Sequence, residues 1–432
     1  MRSCKDILSN LKKGSFDDIL CRLYAMDGRK ESLDAAHIRV EKVIHGLMDT
    51  YDFDDSKEVA LFSGPGRTEI GGNHTDHQHG HVLCGSVDLD MLACASPNDK
   101  NKIRILSEGY PKLEISLDNL APQEKEKNTS MALVRGVAAG FEKLGKTVAG
   151  FDAYITSNVL SGSGLSSSAA YEVLIGNIFN SFYKSGLDAV QIAKIGQYAE
   201  NEYFGKPCGL MDQMGSSVGS AVAIDFESPK EPVIKKVDYD FSKSGYALCI
   251  IDTGSCHADL TDDYAEITRE MGAVASHFGK RFLRDVPEKK VRASIPSLRQ
   301  ECGDRAVLRA LHFYADDRNA IEEVDALLKG DFDAFLRKIN ESGYSSATRL
   351  QNIWSVSDPK SQAVSIALAV GADLLRGKGA IRVHGGGFAG TIQAFVPNEM
   401  LQEFKAGMEA VLGENKCHVL NIRPVGGCVV ID

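Results

Sequence analysis

"SGSGLSSSAA", residues 161–170, is the stretch on which the reading of the fold turns. Gly162 and Gly164 allow a tight turn and close approach of the backbone. The serines supply hydroxyls, and the alanines open a helix that continues as "YEVLIGNIFNSFYK". The first N–H groups of a helix lack internal partners and sit at the positive end of its dipole, so a glycine-serine loop entering a helix is a ready anion site. No lysine follows as in the G-x-x-x-x-G-K-[ST] loop, so phosphate binding here rests on backbone dipoles, hydroxyls and a metal ion. Taken alone, the same residues read equally well as a flexible loop at a helix start. The segment before the loop, "GFDAYITSNV", reads as a strand.

Working outward, helices and strands alternate. Val40, Val43, Ile44 and Leu47 recur at helical spacing and predict an amphipathic helix over 33–50. "EVALFSGPGR" reads as a strand running into a glycine-proline turn, and "SVDLDMLACA" and "LEISL" as strands. Helices follow over "MALVRGVAAGFEKLG" and about 187–204. "GSAVAIDF" and "YALCIIDTG" read as strands separated by a polar, charged junction at about 227–245, where the domain boundary is placed. "AIRVHGGGFAGTIQAFV" reads as strand, glycine turn, strand, and the chain closes on the helix "EMLQEFKAGMEAVLG" and the strand "GGCVVID". This is the pattern of an α/β or α+β protein.

Composition bounds the function. The 432 residues suit two domains of ordinary soluble composition. A formal net charge of −10 argues against nucleic acid or an anionic membrane as partner. Ten cysteines are scattered without a C-x-x-C pair, so no zinc framework is expected. The start, "MRSCKDILSNLKKG", has no apolar secretory core, and no apolar run reaches membrane-spanning length. A cytoplasmic protein with reduced thiols is expected.

Three further segments carry chemistry. "GRTEIGGNHTDHQHGHV", residues 66–82, gathers His74, Asp76, His77, His79 and His81 and raises the question of a metal. A zinc site would need several of them to converge tetrahedrally with second-shell support; surface or loop histidines are the plainer reading. In "GKPCGLMDQM", Asp212 stands beside Met211 and Met214, where a partly desolvated carboxylate would serve as a general base and an N-cap or turn aspartate is the alternative. In "VHGGGFAGT", Gly385, Gly386 and Gly387 leave room for a ligand or a second backbone, or simply make a tight turn.

"GPGRTEIGGNHTDHQHG", "SGSGLSSSAA" and "VHGGGFAG" resemble, in order and spacing, the three signature motifs of the GHMP small-molecule kinases. The first, with H-T-D, and "PCGLMDQ", "CHADLTDDY" and "RALHFYADD" are similar to galactokinase segments. The resemblance runs from about residue 58 to the C-terminus. It implies an α+β, two-domain GHMP fold: an N-terminal mixed α/β domain over 56–235, a C-terminal ferredoxin-like α/β domain over 236–432 whose last strand returns to the first, and the active site in the cleft between. Residues 1–55 form a helical extension of no assigned role. The activity implied is transfer of phosphate from ATP, with Mg²⁺, to the anomeric hydroxyl of galactose. A small sugar and ATP are the partners, and a monomer is the expected state. Arg67 and Asp212 match the catalytic pair. Asn73, His74, Asp76, Gly209, Asp212 and Tyr264 match sugar-binding positions. Gly162, Ser163, Gly164, Leu165, Ser166, Ser167 and Ser168 match the nucleotide loop, Gly385 to Gly387 the third glycine motif, and Ser168 and Glu200 the Mg²⁺ ligands.

The sequence departs from the galactokinase pattern where the sugar is read. Asn73 stands where glutamate is usual, Glu69 where asparagine is usual, and Gly71 where an aliphatic residue is usual. His384 and Ala389 replace a threonine and a glycine in the third motif. Asparagine both accepts and donates, which favours a sugar with a carboxylate or a modified C6. Galacturonate, N-acetylgalactosamine or arabinose are thus alternative acceptors, and a sugar and ATP sensor without catalysis is a further alternative.

Overall fold

The computed structural model describes residues 1–26, 30–159, 164–255 and 260–432. The chain opens on a short strand, β1 (Arg2–Ser3), and three helices, α1 (Cys4–Lys12), α2 (Asp17–Leu23) and α3 (Lys30–Tyr51). Val40, Val43, Ile44 and Leu47 do line one face of α3. With Ile7, Leu11 and Leu20 they pack on Leu61, Leu92 and Cys94, so the opening segment is a helical layer over the back of the first sheet.

That sheet is built on β2 (Glu58–Gly71) and β3 (His81–Pro97), followed by β4 (Lys102–Ser107), β5 (Leu113–Ser116), β6 (Phe151–Ser157), β7 (Ala221–Asp225) and β8 (Val233–Val237). Its order is β1-β2-β3-β6-β4-β5, with β7 beside β3 and β8 beside β7. β3 is long enough to pair with β7 over its first part and with β6 over its last. Helices α4 (Ser130–Lys143), α5 (Ser167–Phe182) and α6 (Ala189–Tyr198) cover the front face. Their residues Val134, Leu174, Ile178 and Phe179 meet Phe62, Ile105 and Phe151 in the largest apolar core. A shorter helix, α7 (Met211–Val218), follows.

The second sheet holds β9 (Tyr246–Asp252), β10 (Ala380–His384), β11 (Thr391–Pro397) and β12 (Cys417–Leu420), antiparallel in the order β10-β11-β9-β12. It carries α8 (Thr261–His277), α9 (Glu288–Ala293), α10 (Ile295–Glu301), α11 (Asp304–Lys329), α12 (Phe332–Ser345), α13 (Ala363–Leu375) and α14 (Leu401–Leu412). The last strand, β13 (Cys428–Ile431), pairs antiparallel with β2 in the first sheet. The polar stretch at 227–245 contains β8, still paired in the first sheet, and the second sheet begins at Tyr246. Among the described residues no helix is long and apolar enough to cross a membrane.

One sequence expectation fails in an informative way. "SGPGR" is not a turn: β2 runs through it, with a register shift between Pro65 and Arg67. A bulge tolerates proline, which has no N–H to give the ladder. The glycines serve packing instead. A Cβ on Gly64 would overlap the Ala170 carbonyl oxygen and lie 2.9 Å from Leu174 Cβ, so α5 can approach β2 only over glycine.

Gly64→Ala should therefore force α5 off the sheet and cost about 1–3 kcal/mol, the range for overpacking. Gly272→Ala in α8, where an added Cβ meets nothing within 4 Å, should be neutral or stabilise by up to about 1 kcal/mol. Thermal unfolding of the two variants checks the contrast; equal melting temperatures would refute it.

Candidate active site

β2 brings the first motif into the interior. Arg67 and Glu69 lie two residues apart on one strand, so both side chains leave it on the same face. Arg67 donates from Nε (2.9 Å) and Nη2 (2.6 Å) to Oδ1 of Asp212, in the first turn of α7, and from Nη1 to the Gly164 carbonyl. Its backbone N–H donates to the Leu165 carbonyl at 3.0 Å. The other Asp212 oxygen accepts from the Ser166 hydroxyl at 2.5 Å. One arginine thus ties the glycine-serine loop to the aspartate.

The environment of Asp212 differs from the apolar one expected from Met211 and Met214. Met214 is buried, but the carboxylate faces Arg67 and Ser166 and is 28% exposed. Burial pushes its pKa up. The Arg67 charge and the hydrogen bonds from Ser166 and Arg67 outweigh this, and the net shift is below the ordinary carboxylate value. Asp212 is a fixed anion rather than a poised strong base.

Of the nucleotide-loop residues, Gly162 and Ser163 lie outside the described residues. Gly164 has φ +71°, with His384 Nδ1 3.2 Å from where a Cβ would stand, so the second and third motifs touch there. The Leu165 side chain is core and contributes only backbone to the site. Ser166 caps α5 in the left-handed region, φ +53°, a costly conformation for serine that its bond to Asp212 helps hold. Ser167 is the first residue of α5. Ser168 donates to Glu200 Oε1 at 3.1 Å.

Glu200 reaches inward because the helix expected over 187–204 changes pitch. α6 ends at Tyr198 and Ala199–Phe204 form a π turn, a feature common at functional sites. The Gln213 amide donates to Glu200 Oε2 at 2.8 Å. A serine hydroxyl touching a buried carboxylate is a donor set that fits Mg²⁺, a hard ion usually held by one or two protein oxygens beside the phosphates.

The residues expected on the sugar side are His74, Asp76, Gly209 and Tyr264. His74 Nε2 donates to the Gly386 carbonyl at 2.8 Å. Burial and then the His77 charge lower its pKa to about 4, so the ring is neutral with Nδ1 as an acceptor. Tyr264 lies nearly parallel to it with ring centroids 6.4 Å apart, and its hydroxyl donates to the Gly387 carbonyl at 2.9 Å. A Cβ on Gly209 would stand 3.0 Å from Asp76 Oδ2, so these two meet. Gly385, Gly386 and Gly387 all have pinned carbonyls: Asn73 Nδ2 donates to Gly385 O at 2.7 Å, and Asn352 joins His74 on Gly386 O at 3.1 Å.

Asn73 needs correction as a sugar-facing residue. It is fully buried. Its Nδ2 donates to Glu69 Oε1 (2.9 Å) and Gly385 O, and its Oδ1 accepts from Asn352 (2.8 Å) and Ser346 (3.3 Å). All four hydrogen-bonding positions of the amide are spent inside the protein. The other histidines disperse. His77 is exposed, His79 stacks on Phe282 at 3.7 Å, and His81 lies between Asp317 (2.9 Å) and Asp225 (3.2 Å). Among the described residues no group of three histidine, cysteine, aspartate or glutamate side chains could hold a metal.

Sequence reasoning named Glu69 and His384 only as departures from the pattern and passed over Arg382 and Asn352. His384 Nε2 accepts from the Glu69 N–H at 3.3 Å. Burial and the charges of Arg67 and Arg382 push its pKa well down, so the ring is neutral and its Nδ1–H points to Thr391 at 2.9 Å. Arg382, fully buried, donates to Glu69 Oε1 at 2.7 Å. Glu69 was detectable from the i, i+2 spacing to Arg67. Asn352, which follows a π turn at Ser346–Leu350, carries no sequence signal.

Comparison with known proteins places this geometry. Residues 132–220 match the model of the GHMP kinases N terminal domain, and residues 50–97 match the galactokinase galactose-binding signature. The structure is similar to Lactococcus lactis galactokinase in complex with galactose, at TM-score 0.74 and 22% identity over 89% of this chain and 99% of that one. It is similar also to L. major mevalonate kinase in complex with R-mevalonate, at TM-score 0.58 and 11% identity over 86% and 97% of the two chains. A D-glycero-D-manno-heptose 1-phosphate kinase from Bacteriodes thetaiotaomicron matches at TM-score 0.56 and 16% identity over 86% and 98%. Residues 132–220 thus carry a GHMP kinase N-terminal domain, and residues 50–97 carry the galactose-binding signature of galactokinases.

Proposed function

We propose that this protein is a sugar 1-kinase that phosphorylates the anomeric hydroxyl of galactose at the expense of ATP. The observation that carries the reading is the triangle of Arg67, Asp212 and Ser166. It sets one anionic oxygen pair at the mouth of the glycine-serine loop. Phosphoryl transfer asks a protein chiefly for positioning and for charge compensation. Asp212 offers a remaining lone pair to the attacking hydroxyl. With its pKa below the ordinary range it does not deprotonate the sugar beforehand, and it takes the proton as the new bond to phosphorus forms. Arg67 keeps Asp212 ionised and offsets charge that develops on the reacting oxygens. The start of α5 receives the phosphates. Ser168 and Glu200 would hold Mg²⁺, which when bound neutralises phosphate charge. The first sheet with its helices is read as the nucleotide-side domain and the second sheet as its partner across the cleft.

ADP release should be measured with Mg·ATP over galactose, N-acetylgalactosamine, galacturonate, arabinose, glucose and no sugar. Turnover on galactose is expected. Asp212→Asn should lower it about 10²–10⁴-fold, the usual contribution of a positioned base. Asparagine is the better probe than alanine, because deleting the carboxylate strands the buried Arg67 guanidinium, and breaking such a pair costs about 3–5 kcal/mol. Absence of turnover on every sugar, with ATP and galactose still bound, would favour a sensor.

Arg67→Gln gives a second test. In the wild type the protonation of Asp212 lies below the usual carboxylate range, so kcat/KM should stay flat down to that region. The stability from its ionisation is likewise present above the unfolded value and lost as pH falls through the lowered one. Without the guanidinium, burial dominates and the pKa rises. The acid limb of kcat/KM should then move to higher pH; an unmoved limb would exclude Arg67 as the group that keeps Asp212 ionised.

A further inference from the structure

Glu69 and Asn73 carry the two residue types of the galactokinase pattern in exchanged positions, and they are hydrogen-bonded to each other at 2.9 Å. The exchange turns one inward and leaves the other with an open group. Asn73 is sealed and saturated, as described above. Glu69 shares the face of β2 with Arg67, and its Oε1 is taken by Arg382 at 2.7 Å and by Asn73. Its Oε2 accepts no hydrogen bond from a described residue. It is also not among the sealed, unpaired oxygens of the interior, which include both Glu323 oxygens and Asp316 Oδ1. Burial raises the Glu69 pKa, against the charges of Arg382 and Arg67; through Asn73 the carboxylate adjoins the Gly385 carbonyl, next to the Gly386 carbonyl that His74 holds. Glu69 and Asp212 are each bound to one guanidinium, Arg382 and Arg67, and Asp76 adds a third carboxylate close enough to act on Glu69.

We propose that Glu69 is the specificity-determining residue of the acceptor pocket: its open oxygen receives a hydroxyl of a neutral sugar, and the local excess of carboxylate rejects sugars that carry one. This rests on the reading of the cleft as a sugar 1-kinase site and narrows it. It reverses the expectation drawn from Asn73 in the sequence, because the amide that would have welcomed a uronate does not reach the cleft. A polar site that matches a substrate hydroxyl discriminates far more strongly than an apolar one, since a mismatch leaves a buried polar group unpaired. Arg382 makes the position rigid: it holds Oε1 with one nitrogen and the Ile70 and Val383 carbonyls with the others.

The test is equilibrium binding of galactose and of galacturonate to the full chain by titration calorimetry, with wild type and Glu69→Gln. Glutamine keeps the volume and the acceptor toward Arg382 while removing the charge. Wild type should bind galactose at least about tenfold more tightly than galacturonate. Glu69→Gln should weaken galactose by roughly tenfold and narrow the ratio between the two sugars. A merely structural role would weaken both sugars alike and leave the ratio unchanged, and that result overturns the proposal. So does equal binding of the two sugars by wild type, which needs no variant to fold, and so does an absence of binding by both. Selective galactose binding without phosphorylation would sink the kinase reading and leave the role of Glu69 standing. Phosphorylation with an unchanged ratio in the variant would do the reverse.

Discussion

A buried charge must meet its opposite, and β2 carries two of them into the interior within three residues. Arg67 meets Asp212 from α7, and Glu69 meets Arg382 from β10. Removing one partner of such a pair costs about 3–5 kcal/mol. The two pairs therefore fix where α7 must stand against β2 and how the second sheet must dock. Beside a shared apolar core, the seam carries polar contacts: Gln393 donates to Thr68 Oγ1 (2.8 Å) and to the Glu69 carbonyl (2.9 Å), and His384 accepts from the Glu69 N–H. Polar contacts gain little from burial alone. They gain register, since a slipped strand would leave several of these groups unpaired.

The same requirement shapes the third glycine motif. Three glycines in a row have no side chains to hold them, and Gly385 and Gly387 sit at φ +67° and +80°. Their carbonyls are instead gripped from outside by Asn73, His74, Asn352 and Tyr264. On the proposed reading His74 and Tyr264 lie on the acceptor side, so occupancy of the cleft and the conformation of the loop would be linked through shared hydrogen bonds. Both π turns feed this region, one delivering Glu200 and the other preceding Asn352. A π turn inserts a residue and re-aims those after it, which is how two long helices can end in inward-pointing polar groups.

Periodicity found the helices and most strands, because burial on one face leaves a period in the sequence. The resemblance to the GHMP kinases marked Arg67, Asp212, Ser168 and Glu200 for catalysis and metal, and the structure brings the first two into contact and the last two into contact. What the sequence hid was of two kinds. "SGPGR" has the composition of a turn, yet the glycines answer to the close approach of α5, a partner more than a hundred residues away. Asn73 has the residue type of a sugar ligand, but which way an amide points is set by Ser346, Asn352 and Gly385, none of which is near it in the chain. π turns have no compositional signal, so Asn352 could not be anticipated.

The electrostatics of Asp212 fix what kind of chemistry the site can perform. Had the carboxylate sat in the apolar pocket that Met211 and Met214 suggest, desolvation would have made it a strong base, at the cost of being protonated for part of the time near neutrality. Arg67 and Ser166 instead keep it ionised, which sacrifices basicity for constant occupancy of the right protonation state. That exchange suits a reaction whose transition state is loose. When bond-breaking to the leaving phosphate runs ahead of bond-making, the attacking hydroxyl needs an aligned acceptor for its proton late in the step rather than a base that removes it early. On the proposed reading the arginine that lowers the basicity would also stand where charge collects on the oxygens in transit, so the group that weakens Asp212 as a base would strengthen the site for transfer.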